Sequence, residues 1–204
     1  MNLLRALGVG RGDVVALAGA GGKTTLAMAL AREAEAAGLR VVRAATVGRG
    51  IPVVAQADIV ALRESADVVI VESDGARGRL LKTAGDHEPL VPAETTLLVV
   101  CASLECLDRP LDVSTVHRCE RVIEVSGREP GSPIDALVIA RALAAGYPGR
   151  RPAAARLLAF LNAMEATAPR RAADVIAAAL VPPFDAVLGG SAREGRAELL
   201  SHGV

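Results

Sequence analysis

A short apolar run, Val14-Val15-Ala16-Leu17, gives way to Gly19-Ala20-Gly21-Gly22 and then to Lys23-Thr24-Thr25 at the head of a helical pattern. That order, strand then glycine loop then helix, leaves the chain few choices of fold. Glycines let the main chain curl until successive N–H groups face one point, and the first helical turn adds donors with no partner inside the helix. Together they form a nest for phosphate. In such a loop Lys23 brings positive charge to the β- and γ-phosphates and the Thr24 hydroxyl faces Mg²⁺. The expected nucleotide contacts are Gly19, Ala20, Gly21, Gly22, Lys23, Thr24 and Thr25.

The spacing is G-x-x-G-K-T-T. The longer pattern G-x-x-x-x-G-K-[ST] would need glycine where Leu17 stands. The short form resembles the loop of Mur-type ligases as much as that of GTPases, so ATP and GTP both remain open. Only Lys23 and Lys82 among the basic residues are lysines; the rest are arginines. In a chain that favours arginine this strongly, the two survivors mark places where a flexible ammonium is needed.

Composition narrows the partners. Formal net charge is zero and aromatics are 1% of residues, so neither a basic stripe nor a stacking platform supports nucleic-acid binding. No apolar run approaches the roughly 18 residues of a membrane span, and residues 1–13 lack the long apolar core of a signal peptide. Cys101, Cys106 and Cys119 are an odd set without metal-type spacing and read as reduced thiols. A cytoplasmic protein is expected. With 204 residues, a single nucleotide-binding domain over 1–190 with a polar, frayed tail over 191–204 is expected.

Along the chain, Leu3, Leu4 and Leu7 predict a short first helix ended by Gly8. Thr25–Ala37 carries apolar residues at helical spacing with Gly38 as its stop, and Leu39–Thr46 reads as a second strand. Gly48 and Gly50 mark a turn, Ile51–Val54 a short strand and Ala55–Ser65 a helix. Asp67–Val71 and Thr95–Ala102 are continuous apolar runs, the signature of strands buried on both faces. Helices are expected over Val113–Arg121, over Ile134–Ala145 with Ser132 and Pro133 as cap and first residue, and over Ala168–Leu180. Val122–Val125 reads as extended, and Ala154–Ala163 and Phe184–Leu188 as strands. The alternation predicts an α/β, three-layer, P-loop NTPase-like fold with a mostly parallel central sheet flanked by helices.

Ligands in such sheets gather at the carboxyl ends of the strands. Glu72 and Asp74 emerge there, after the run ending at Val71, as candidates to hold Mg²⁺ or orient the attacking group. Asp74 with Thr24 is the expected metal pair, and Lys23, Glu72 and Asp74 are the expected catalytic set. The polar segment Ala76–Glu94 has no clean period, and unstructured runs of this length are commonly functional. It supplies Arg77, Arg79 and Lys82 as grips for an anion and His87 as a proton carrier, although each also reads as part of a solvated loop.

Several motifs in order resemble the YqeC family of accessory proteins to selenium-dependent hydroxylases: GAGGKTTL (19–26), VESDGARGRLLK (71–82), HEPLVP (87–92), Asp108-Arg109-Pro110-Leu111 and Val116-His117-Arg118. The similarity extends from about Val14 to about Leu180. It implies a P-loop nucleotide-binding protein, an NTPase with Mg²⁺, that helps to mature or insert the cofactor of a molybdenum hydroxylase. A hydroxylase subunit or its pterin cofactor would then be a partner, and His117 a family position. Two departures stand out. The segment after Ala44-Ala45-Thr46 looks shortened, which weakens the expectation of turnover. The position resembling a base-reading N-K-x-D motif is Asn162-Ala163-Met164-Glu165. A small kinase or Mur-like ligase, and a non-hydrolysing carrier or scaffold, remain alternatives.

Overall fold

In the computed structural model, which describes residues 1–46, 58–164 and 170–203, the strands in chain order are β1 (Asp13–Gly19), β2 (Val41–Ala45), β3 (Val68–Glu72), β4 (Leu81–Lys82), β5 (Leu97–Ser103), β6 (Val116–His117), β7 (Arg156–Asn162), β8 (Ala186–Ser191) and β9 (Arg196–His202). Seven of them form one sheet in the order β2-β3-β1-β5-β7-β8-β9, while β4 and β6 make a separate two-stranded ladder. Every pairing is parallel except the last, β8 with β9. The helices are α1 (Leu3–Leu7), α2 (Lys23–Ala36), α3 (Asp58–Ser65), α4 (Cys119–Ser126), α5 (Ala136–Ala144) and α6 (Arg170–Leu180).

Alternation along the strands sorts the core into two faces. Val15 and Leu17 of β1, with Val99, Cys101 and Phe160, pack under Leu3, Leu7, Leu26 and Leu30 of α1 and α2. Ala16 and Ala18, with Leu98, Val100 and Leu161, face Val122, Ile139, Leu143 and Ile176 of α4, α5 and α6. Val14, Val69 and Val71 meet Ile59 of α3 on that second face. The result is a three-layer α/β protein whose sheet is covered on both sides, as the continuous apolar runs of β1, β3 and β5 demand. Among the described residues no helix is long and apolar enough to cross a membrane.

Three expectations are corrected. The helix over Val113–Arg121 does not form. Asp112 Oδ1 accepts the N–H groups of Ser114 and Thr115 in a side-chain turn, Val116-His117 is drawn into a parallel ladder with Leu81-Lys82, and α4 begins only at Cys119, taking in the Val122–Val125 piece expected as extended. The helix over Ile134–Ala145 starts later, at Ala136, because Asp135 Oδ1 caps it by accepting the Val138 N–H at 2.9 Å. Ser132 is instead engaged with Glu129 O at 2.7 Å. Finally, the frayed tail expected from Ser191 is the antiparallel strand β9, and the boundary set at residue 190 falls inside β8. Ala197 of β9 is buried and exchanges main-chain bonds with Met1, whose ammonium donates to Ala197 O at 2.8 Å. The turn at Gly48 and Gly50, the strand over Ile51–Val54 and the first residues of the helices expected from Ala55 and Ala168 lie outside the described residues.

Candidate functional site

The glycine loop leaves β1 between β3 and β5, at the carboxyl end of the sheet, and runs straight into α2. All three of its glycines, Gly19, Gly21 and Gly22, have positive φ and no room for a Cβ. A Cβ on Gly19, at φ 90°, would stand 2.2 Å from Cys101 O, and one on Gly22, at φ 132°, would stand 2.3 Å from Asn162 Nδ2. Neither position accepts a side chain without displacing the neighbouring strand end.

The main-chain donors divide into two groups. Gly19 N–H donates to Asp74 Oδ2 at 3.1 Å, Ala20 N–H to Cys101 O at 2.9 Å and Gly21 N–H to Arg79 O at 3.0 Å. The cup expected over residues 19–24 is therefore shorter at its start. From Gly22 onward, through Lys23, Thr24 and Thr25, the N–H groups have no acceptor among the described residues, because they form the uncapped first turn of α2. Asn162 braces this turn: its Nδ2 donates to Gly21 O at 2.9 Å while its Oδ1 accepts from Ala192 N–H at 2.9 Å. The residue read as a remnant of a base-reading motif thus holds the loop.

The candidate acids take different places from those expected. Thr24 Oγ1 donates to Glu72 Oε2 at 2.9 Å, and Glu72 Oε1 is buried with no partner. Asp74, two residues on, faces two ammonium groups: Lys23 Nζ lies 3.0 Å from Oδ1 and Lys82 Nζ 2.9 Å from Oδ2. The Lys23 contact is an ion pair without hydrogen-bond alignment. Lys23 Nζ also donates to Gly19 O. Thr24, expected to share Mg²⁺ with Asp74, is hydrogen-bonded to Glu72 instead. β3 ends at Glu72, where its side chain meets the head of α2, whereas the chain has turned inward by Asp74.

Lys82 is fully buried; its ammonium donates to Gly75 O at 2.8 Å and to Glu88 Oε2 at 3.0 Å and forms an ion pair with Asp74 Oδ2. Arg118 continues the chain of charges, 2.9 Å from Glu88 Oε2. Burial works to raise the Glu88 carboxyl, but Lys82 and Arg118 outweigh it and hold it below its ordinary value. Tyr147, buried beside this network, donates to Lys82 O at 3.4 Å, and burial raises its hydroxyl well above the usual value. Glu88 is the functional neighbour that sequence reading passed over in favour of His87, which is exposed and lies outside the cleft lining. His117, half-buried, is held below its usual value first by burial and then by the charges of Lys82, Arg118 and Arg77.

Above the loop opens a cleft of about 660 Å³. Lys23, Thr24, Glu72 and Asp74 line one part of it, and Arg43, Arg77, Arg79, Ser103 and Glu105 the rest. Arg43 had no signal in the sequence beyond its place on β2. Lys82 supports the cleft from below and does not line it. Among the described residues no group of three or more His, Cys, Asp or Glu side chains is arranged to hold a metal by itself. Cys101 and Cys106 are buried thiols pushed up to about 12 by burial.

Fold and site together define a three-layer α/β protein with a glycine loop at the carboxyl end of a mostly parallel sheet, opening on a cleft of mixed charge. Residues 48–120, just over a third of the chain, match the model of the family described as YqeC protein. The segment carries Glu72, Asp74, Lys82, Glu88 and Arg118 but stops short of the glycine loop on one side and Asn162 on the other, a narrower span than the motif resemblance covers. The chain is also similar to the protein named "Uncharacterized protein YqeC" of Escherichia coli (strain K12), with 27% identity over 77 residues, 38% of this chain and 30% of that relative. The chain thus covers less than a third of that relative's length. No solved structure matches.

Proposed function

We propose that this protein binds a nucleoside triphosphate with Mg²⁺ in the P-loop manner, hydrolyses it, and serves as an accessory factor in maturing or loading the cofactor of a molybdenum hydroxylase. The observation that carries the nucleotide reading is the meeting of three features in one cleft: the free amides from Gly22 to Thr25, the Lys23 ammonium, and Thr24 hydrogen-bonded to a Glu72 whose second oxygen is buried without a partner. An orphaned carboxylate oxygen beside a hydroxyl fits a hard cation, and Mg²⁺ ordinarily needs only one or two protein oxygens when phosphates and water complete its shell. The lack of a three-residue metal cluster among the described residues is consistent with that mode. When bound, Mg²⁺ would supply charge neutralisation at the phosphate oxygens. The protein's own part is positional: the α2 amides orient the phosphate chain, Lys23 faces its terminal group, and Asn162 keeps the turn from collapsing. The accessory role rests on the motif resemblance to the YqeC family.

Calorimetric titration with ATP and with GTP, with and without Mg²⁺, tests the first part. Binding should depend on Mg²⁺, and Thr24→Ala should weaken it about tenfold or more, the effect of losing one strong ligand contact. Absence of binding by both nucleotides would refute the reading. Product analysis then separates hydrolysis from transfer to a second substrate, and bound but unconsumed nucleotide would identify a carrier.

A further inference from the structure

The cleft holds more positive charge than one loop contact uses. Arg43, Arg77 and Arg79 all line it, and among the described residues none of them has a carboxylate within ion-pair distance. Elsewhere the chain pairs its guanidinium groups closely: Arg40 and Arg11 with Asp67, Arg118 with Glu88, Arg121 with Asp86, Arg151 with Asp185. Arg43 departs furthest from that habit, because its Nε is buried and has no acceptor among the described residues. A buried donor left unmade is unfavourable, so its retention in a cleft points to a ligand that completes it.

Topology separates these arginines from the phosphate cup. Arg43 lies on β2, opposite Ile70 of β3, and β3 lies next to β1. Two strand spacings place it roughly 10 Å across the sheet from the strand that feeds the glycine loop. Arg77 comes from the turn that leaves β3, at φ 49°, with its side chain exposed. Arg79 is tied closer in, its carbonyl accepting the Gly21 N–H. Planar guanidinium forks match two oxygens of a phosphate better than an ammonium does.

We infer that Arg43 and Arg77, with Arg79 between them and the loop, form a second anion subsite beside the nucleotide, which takes the phosphate of a phosphorylated small molecule. This rests on the nucleotide reading for its neighbour but not for its own residues. The consequence is an enzyme or carrier that holds two ligands side by side, the nucleotide at α2 and a phosphomonoester against β2.

The test is equilibrium dialysis of radiolabelled inorganic phosphate against protein saturated with Mg²⁺ and a non-hydrolysable analogue of whichever nucleotide binds. We expect one saturable phosphate per chain. Arg43→Gln and Arg77→Gln should each weaken phosphate by about tenfold, more than they weaken the nucleotide, as befits loss of a charge-assisted bond. Arg43→Lys, which keeps the charge without the fork, should restore part of the loss, and melting curves check that each variant folds. Phosphate displaced by the nucleotide, or both ligands weakened alike, would assign the arginines to the nucleotide's own phosphates and overturn the inference. Nucleotide bound with no phosphate site would overturn it too, leaving the nucleotide reading intact. Arginine-dependent phosphate binding without any nucleotide binding would support the subsite and remove the nucleotide reading.

Discussion

Lys23 and Lys82 carry the same ammonium to the two oxygens of one carboxylate, Asp74, yet they sit in opposite situations. Lys82 has no exposure and three partners, hydrogen bonds to Gly75 O and Glu88 and an ion pair with Asp74. Lys23, 6% exposed at the floor of the cleft, has two partners, Gly19 O and Asp74. A fully buried cation enclosed by three partners is structural. Lys23, by contrast, lies beside amides and a carboxylate oxygen that have no partner among the described residues, the surroundings on which the nucleotide proposal rests. The contrast shows that burial alone does not separate the two lysines; the hydrogen bonding around them does.

Breaking the saturated side should have the largest effect. Lys82→Met strands Asp74 and Glu88 without their shared cation and should destabilise the fold by about 3 kcal/mol or more, the usual result of removing one member of a buried pair. Urea unfolding measures it, and a loss below about 1 kcal/mol would mean that Lys82 is as dispensable as a surface charge. Glu88 sharpens the comparison through pH. Its carboxyl is depressed in the folded state from a reference of 4.5, so the stability it contributes is present above that value and is lost as pH falls through the folded value. Wild-type stability should therefore fall faster than that of Glu88→Gln below pH 4.5, and parallel curves would contradict the assignment. The smallest effect belongs to the cleft. Arg77→Gln should change stability by no more than about 0.5 kcal/mol, because in the fold its guanidinium holds nothing together.

How far these features are legible in the sequence follows from their range. β1, β3 and β5 are readable because a strand buried on both faces must be an unbroken apolar run, and α2 because its buried residues repeat at helical spacing. The glycine loop is readable because its chemistry is local. β6 is not, since two residues have no period and become a strand only by pairing with Leu81-Lys82, some 35 residues earlier in the chain. β9 hides because an edge strand half open to water alternates weakly and looks like a tail. Ser132-Pro133 mimics a helix start, and only the packed structure shows that Asp135 is better placed to cap. The division of labour between Glu72 and Asp74 depends on where a strand ends within one residue, which is the least certain thing a sequence conveys. Arg43 and the Glu88–Arg118 pair are contacts across distant segments, without a local signature.

The outer rim of β9 is already partly covered, which bears on how readily the sheet can be extended. An unpaired strand at the rim of a sheet is a template on which a neighbour can add its own backbone. Here the N–H and C=O of Ala197 are already engaged by Met1, and Arg196 bridges Asn2, so part of that rim is taken and offers correspondingly less backbone to a strand added from outside.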